Sequence, residues 1–326
     1  VSTAPREGRD GRAWAALSRR GRQLGTLAGL FALGLLLTAL TPHFLTVSNL
    51  INVMEQTSIN ALIAVGMTFV ILSGGIDLSV GSLVALSGVL MGSALQAGVP
   101  PLLAVTAGVL AGAAGGLVNG LLVTLARLPP FIATLGMMSV ARGLALMYTD
   151  GRPVSGFGAG FRQLATGRLA HVPVPVLVTL AVYLLAWLLL TRTRFGRYVY
   201  AIGGNEEAAR LSGVPVRFHK TMVYVLSGVM SGLGAAVLTA RLNSAQPIAG
   251  MMYELDAIAA TVIGGTSLLG GSGSIGGTLI GALIMGVLRN GLNLLGISSF
   301  LQQVVIGLVI IGAVSLDSML KTPDRR

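Results

Sequence analysis

Ala61-Leu62-Ile63-Ala64-Val65-Gly66-Met67-Thr68-Phe69-Val70-Ile71-Leu72, Ser73-Gly74-Gly75-Ile76-Asp77-Leu78-Ser79 and Val80-Gly81-Ser82-Leu83-Val84-Ala85-Leu86-Ser87-Gly88-Val89-Leu90-Met91 follow one another and decide the fold. Two apolar runs flank a short segment that holds a glycine pair and one acid. Extended to 57–74 and 79–97, each run approaches the roughly 20 residues that an α-helix needs to cross about 30 Å of hydrocarbon. The runs are continuous, whereas barrel strands would alternate in short segments. In lipid only helices and closed barrels satisfy every backbone polar group, so both runs read as membrane helices. Gly74-Gly75 followed by Asp77 reads as the break between them.

The same reading extends along the chain. Of the 326 residues, 53% are hydrophobic and 10% charged, with a mean hydropathy of +0.82. Soluble domains carry about 25% charged residues, and disordered chains are poor in apolar ones, so both classes are excluded. The sequence predicts an all-α polytopic membrane protein of about ten transmembrane helices. Their expected places are 24–40, 57–74, 79–97, 101–125, 131–148, 174–191, 221–240, 256–270, 276–294 and 300–317. Residues 24–317 then form one transmembrane domain, preceded by a basic segment, 1–23, and followed by a tail, 318–326.

Charge sets the orientation. The chain has 22 Lys and Arg against 11 Asp and Glu, a net charge of +11. With both ends inside, sixteen of the 22 bases fall on the inner side: Arg6, Arg9, Arg12, Arg19, Arg20, Arg22, Arg127, Arg192, Arg194, Arg197, Arg210, Arg217, Lys220, Lys321, Arg325 and Arg326. Four, Arg152, Arg162, Arg168 and Arg241, fall outside, and Arg142 and Arg289 lie within spans. This asymmetry is the positive-inside pattern and predicts an N-in, C-in topology. It also accounts for the basic excess without a nucleic-acid partner, which would call for aromatic platforms among the bases.

Two polar segments are long. The outer one, 149–173, is rich in Gly and Pro and reads as a loop with a short surface helix. In the inner one, 192–220, Asn205 is placed to cap a short helix, Glu206 and Glu207 suit its first turn, and Gly213 and Pro215 end it. Gly112, Gly116 and Gly120 form a four-residue ladder, as do Gly273, Gly277 and Gly281, and Gly228 pairs with Gly232. This spacing lets helix backbones approach closely in lipid.

Chemistry-bearing motifs are few. There is no cysteine, and His43, His171 and His219 are far apart in sequence, so no metal site is expected. Gly271-Ser272-Gly273-Ser274-Ile275-Gly276 matches GxGxxG but lies between apolar runs without a βαβ context, and reads as a tight turn. Neither lysine stands in a phosphate-binding GK[ST] motif. Asp77 invites three readings: a cap on the following helix, a gate or subunit contact, or an ion-coupling acid. Glu254 and Asp256 read as acids at a helix N-terminus on the outer face, with acid–base chemistry as the alternative. Arg241 and Arg289 are expected to snorkel to the outer interface or to meet an external partner there.

Several stretches together resemble one family. They are Gln56-Thr57-Ser58 with Gly66-Met67-Thr68, Ser73 to Ser82, Phe131-Ile132-Ala133-Thr134-Leu135, and Thr193-Arg194-Phe195-Gly196-Arg197-Tyr198. Gly203 to Gly213, Ser244-Ala245-Gln246-Pro247, Tyr253 to Ala260 and Asn290 to Gly296 complete the run. From about Thr41 to Gly312 the chain resembles the permease subunits of bacterial ribose-type monosaccharide ABC importers, with xylose, galactose and allose permeases also similar. The resemblance implies a non-enzymatic permease fold in the inner membrane, acting as a homodimer. Its implied partners are a periplasmic sugar-binding protein and a cytoplasmic ATPase that binds ATP and Mg; this chain would bind no cofactor. An EAA-like segment, Glu207-Ala208-Ala209 followed by Gly213, would dock on the ATPase. The expected coupling surface is thus Arg194, Arg197, Glu206, Glu207, Ala208, Ala209 and Gly213. Gly74, Gly75, Asp77, Ser79 and Gly81 form a candidate gating or structural motif, Arg241, Glu254 and Asp256 are outer-face candidates, and Asn60, Ser73 and Asn119 are pore candidates. The competing readings are an ion-coupled sugar transporter using Asp77 and a membrane enzyme using Glu254 and Asp256.

Overall fold

Long apolar runs, bounded by prolines and glycines, become helices because nothing else satisfies their backbone away from water. The computed structural model describes residues 9–320. In order the elements are α1 (Arg9–Leu40), α2 (Val47–Leu72), α3 (Val80–Gln96), α4 (Pro101–Thr124), α5 (Pro130–Thr149), β1 (Val154–Ser155), α6 (Ala159–Thr166), β2 (Arg168–Leu169) and β3 (Val172–Pro173). They continue with α7 (Val174–Arg192), α8 (Arg194–Gly204), α9 (Glu206–Leu211), α10 (Val216–Leu242), β4 (Ser244–Ala245), α11 (Tyr253–Ile263), α12 (Ile275–Leu294) and α13 (Ser299–Leu320). Arg6, Lys321, Arg325 and Arg326, four of the bases counted for orientation, lie outside the described residues, as does most of the tail.

Each of the ten apolar runs lands on one helix, and the chain is an all-α polytopic membrane protein. Among the described residues six helices, α2, α4, α5, α7, α10 and α12, are long and apolar enough to cross a membrane. Residues 24–40, 80–96 and 299–312 form shorter apolar helices. The eighth run differs most from expectation: α11 stops at Ile263, and Gly264 to Ser274 are turns. At 1.5 Å per residue, the 11 residues of α11 span about 16 Å, half a bilayer.

The centre of the bundle is α2. All its residues from Thr57 to Leu72 except Asn60 are buried, as a helix apolar on every face requires. It packs against α10, α11, α12 and α7. The glycine ladders are packing seams. A Cβ on Gly112 would run into the backbone of Gly228, and the rest of the seam sets Gly116 on Tyr224 and Gly120 on Thr221, joining α4 to α10. The second ladder sets Gly273 on Thr266, Gly277 on Gly264 and Gly281 on Ala260, joining α11 to α12.

At one end of the bundle, β1 pairs with β4 in the register Val154↔Ala245. There α6 closes a satellite core of Phe157, Phe161, Met91, Ala104 and Ala245, so the expected surface helix in this loop is present. At the opposite end stand α8 and α9. The GxGxxG stretch is a turn: Ser274 caps α12 by accepting from the Gly277 N–H at 3.1 Å.

Candidate functional site

The functional candidates fall into three groups. The first is the platform of α8 and α9. The Thr193 hydroxyl accepts from the Gly196 N–H and starts α8. Asn205 Oδ1 accepts from the Ala208 N–H at 2.9 Å and starts α9. Gly213, at φ +81°, lets the chain turn away. Glu206 pairs with Lys220 at 2.8 Å, and Glu207 with Arg210 at 2.6 Å. Ala209 is buried with Ile202 and Val216, whereas Arg194, Arg197, Glu206, Glu207, Ala208 and Gly213 are exposed. A groove of about 420 Å³ lies beside α9, and its lining includes Arg127, Arg210, Arg217 and Lys220. Sequence reasoning missed α8, whose cue was the Thr-x-x-Gly cap ahead of an amphipathic run.

The platform is bolted to the bundle. Gly203 packs against the Leu72 carbonyl, which also accepts from the Gly271 N–H at 3.0 Å. The Tyr200 hydroxyl donates to the Gly273 carbonyl at 2.8 Å. The ends of α2 and α8 and the turn between α11 and α12 therefore meet at one point.

The second group surrounds Asp77, which is fully buried. Its Oδ1 accepts from the Ser79 N–H at 3.0 Å and the Ser79 hydroxyl at 2.6 Å. Its Oδ2 accepts from the Ser227 hydroxyl at 2.8 Å, and Asn119 Nδ2 donates to Ser79 Oγ at 2.8 Å. The bond to Ser79 N closes a turn ahead of α3; the other bonds tie that turn to α10 and α4. Gly74 takes φ +78°, and Gly75 lies against the Tyr224 hydroxyl. The pore candidates Ser73 and Asn119 are buried, Ser73 donating to the Val70 carbonyl at 2.8 Å. Neither faces an open path in this conformation.

The third group gathers acids and bases that the sequence singles out, in an arrangement that the sequence did not show. β4 lies at the far end of α3, where Ala245 packs on Gly92. Five residues later the Gly250 backbone presses on that of Gly81, at the start of α3. From Gly92 to Gly81 is about 16 Å along the helix, so 246–252 re-enters the bundle as irregular chain. Gly250 and Met252 have positive φ, +72° and +68°. The half-length helix α11 therefore starts deep in the protein. Glu254 and Asp256, expected on the outer face, stand inside for this reason. Asp256 is 1% exposed and accepts from Arg289 Nη2 with both oxygens at 2.7 Å, while Asn60 Nδ2 lies 3.4 Å from Oδ2. Arg289 therefore does not snorkel outward. Arg241 does lie on an exposed contact, donating to Asn52 Oδ1 at 2.9 Å. Glu254 lies against Gly81. Arg142, on α5, donates from Nη1 to the carbonyls of Pro247 at 2.8 Å and Ala249 at 2.7 Å.

Among the described residues no group of His, Cys, Asp or Glu could hold a metal ion. The family described as the branched-chain amino acid transport system permease component matches residues 49–314. The chain is 54% identical over 298 residues to the ribose import permease protein of Bacillus subtilis, covering 91% of this chain and 92% of that one. It is 52% identical to the ribose import permease protein of Escherichia coli K12, covering 90% and 92%. It is 38% identical to the galactose/methyl galactoside import permease protein of the same strain, covering 85% and 88%. No solved structure matches it.

Proposed function

The chain belongs to the ribose-type sugar ABC importer permeases, within the family described as the branched-chain amino acid transport system permease component, and from that premise we propose how it moves a sugar. It is a multi-pass inner-membrane protein and the transport subunit of an ABC sugar importer, not an enzyme. Permeases of this kind work with a separate ATPase and a substrate-binding protein. The observation that carries the reading is the 54% identity to a ribose import permease across nine-tenths of both chains. Ribose is accordingly the proposed cargo.

In this reading the chain makes ten crossings with both ends in the cytoplasm. The eighth is made in two pieces, the re-entrant stretch 246–252 and then α11. The bases around the α9 groove support a cytoplasmic position for that end. Two copies form the path; α5 supports this, since its main helix contacts are with α3 and α4 and it leaves Phe131, Ile132, Val140 and Met147 exposed. The α8–α9 platform, with Arg194, Arg197, Glu206 to Ala209 and Gly213, receives the ATPase, which binds ATP and Mg. A displacement of α9 passes through Gly203 to the end of α2 and to the turn that anchors α11 and α12. Short rigid elements transmit rigid-body movement in this way.

Proteoliposomes test the proposal. Ribose uptake should require the binding protein, the ATPase subunit and internal ATP. Uptake by this chain alone on a proton or sodium gradient would overturn the importer reading and restore Asp77 as a coupling acid.

A further inference from the structure

Arg142 is the one charged residue of α5, twelve residues into the helix and so about 18 Å from its start. An ionisable side chain at such depth is kept for a reason, and here both its recorded bonds go to the backbone of the re-entrant segment. Irregular backbone at bilayer depth is tolerated only inside protein or against a water-filled cavity. Pro247 and Gly250 are buried, yet Ile248 and Met251 beside them are 55% and 64% exposed. A segment with one side in the core and one side open belongs on the wall of a path.

We propose that Arg142 is the latch of a gate formed by residues 246–252 on the sugar path. The inference rests on the importer reading above. One nitrogen, Nη1, holds both carbonyls, so a small rotation of α5 against the segment releases both bonds together. The segment runs directly into α11, whose other end packs on the turn bolted to α8 through Gly203 and Gly271. A platform displacement therefore reaches the gate through one rigid half-helix. Glu254, close to Arg142 and Gly81, offers the released guanidinium a second partner. Arg142 acts here as a positioning residue, holding the closed segment without a reacting group.

The chain has no cysteine, so a single Ala249→Cys reports on the segment. The permease, assembled with its ATPase in nanodiscs that expose both faces, is treated with a small hydrophilic maleimide. Labelling should be slow with Arg142 in place, at least tenfold faster in Arg142→Ala, and intermediate in Arg142→Lys, which retains a charge and can hold one carbonyl. Trapping with ATP and vanadate should accelerate labelling when Arg142 is present and have little effect in Arg142→Ala. Rates within twofold across the three proteins would overturn the latch. If Arg142→Ala does not fold, equal labelling with and without nucleotide in the Arg142 protein overturns the gate. The measurement needs no sugar uptake, so failure of the importer reading is seen separately in the proteoliposomes.

Discussion

At the residue scale, the ion pair of Asp256 and Arg289 joins α11 to α12. A carboxylate away from water is stable when a cation and hydrogen bonds replace its hydration, and Arg289 Nη2 lies 2.7 Å from both Asp256 oxygens. Removing one partner strands the other, which costs more than replacing both by apolar groups. Asp256→Ala should therefore lower stability by about 2 kcal/mol, below the fully buried case because Arg289 is a quarter exposed. Asp256→Ala with Arg289→Met should recover most of the loss. Tryptophan-fluorescence melting in detergent, using Trp187, reads both. A single variant as stable as the parent would show that the pair is solvated. The sequence contains both residues but not their pairing: 33 positions separate them, and which way α11 enters depends on a segment folded against α3.

At the scale of elements, the legible features were the local ones. The Asn205 cap, the end of α9 at Gly213 and the surface helix α6 appear as expected because their cues lie within a few residues, and both glycine ladders pack as expected because their four-residue spacing is itself local, although their partners are distant. The half-length of α11 was hidden by an apolar run that continues through Leu268 and Leu269 beyond the helix end. The re-entrant stretch was hidden because it is made by the contact of Gly250 with Gly81, far apart in sequence. Local legibility makes α9 a clean target. Gly213→Val forces a β-branched residue into φ +81°, which costs on the order of 1–3 kcal/mol. The strain falls on an exposed helix end, so the bundle should keep its melting temperature. ATP hydrolysis should continue while ribose uptake per ATP falls severalfold. Unchanged coupling in proteoliposomes would remove α9 from the ATPase contact.

The whole molecule is organised by a polarity that its residues and elements share. Bases gather at the α8–α9 end, while the β1–β4 pair and α6 cover the other, and the lever from platform to half-helix works only if these ends lie on opposite sides of the membrane. In the proposed topology, positive-inside bias puts the α9 end in the cytoplasm. The absence of cysteine allows this to be checked one residue at a time. Leu211→Cys, at the tip of α9 and 78% exposed, should react with an impermeant maleimide in inside-out vesicles and be protected in intact spheroplasts. Leu169→Cys, 68% exposed at the end of β2, should show the opposite pattern. The two sites are separated by one full crossing, α7, so they must report opposite sides if α7 spans. If both label from the same side, α7 does not cross and the even count of crossings fails. If each labels from the side opposite to expectation, the bundle is inverted, and the platform cannot meet a cytoplasmic ATPase.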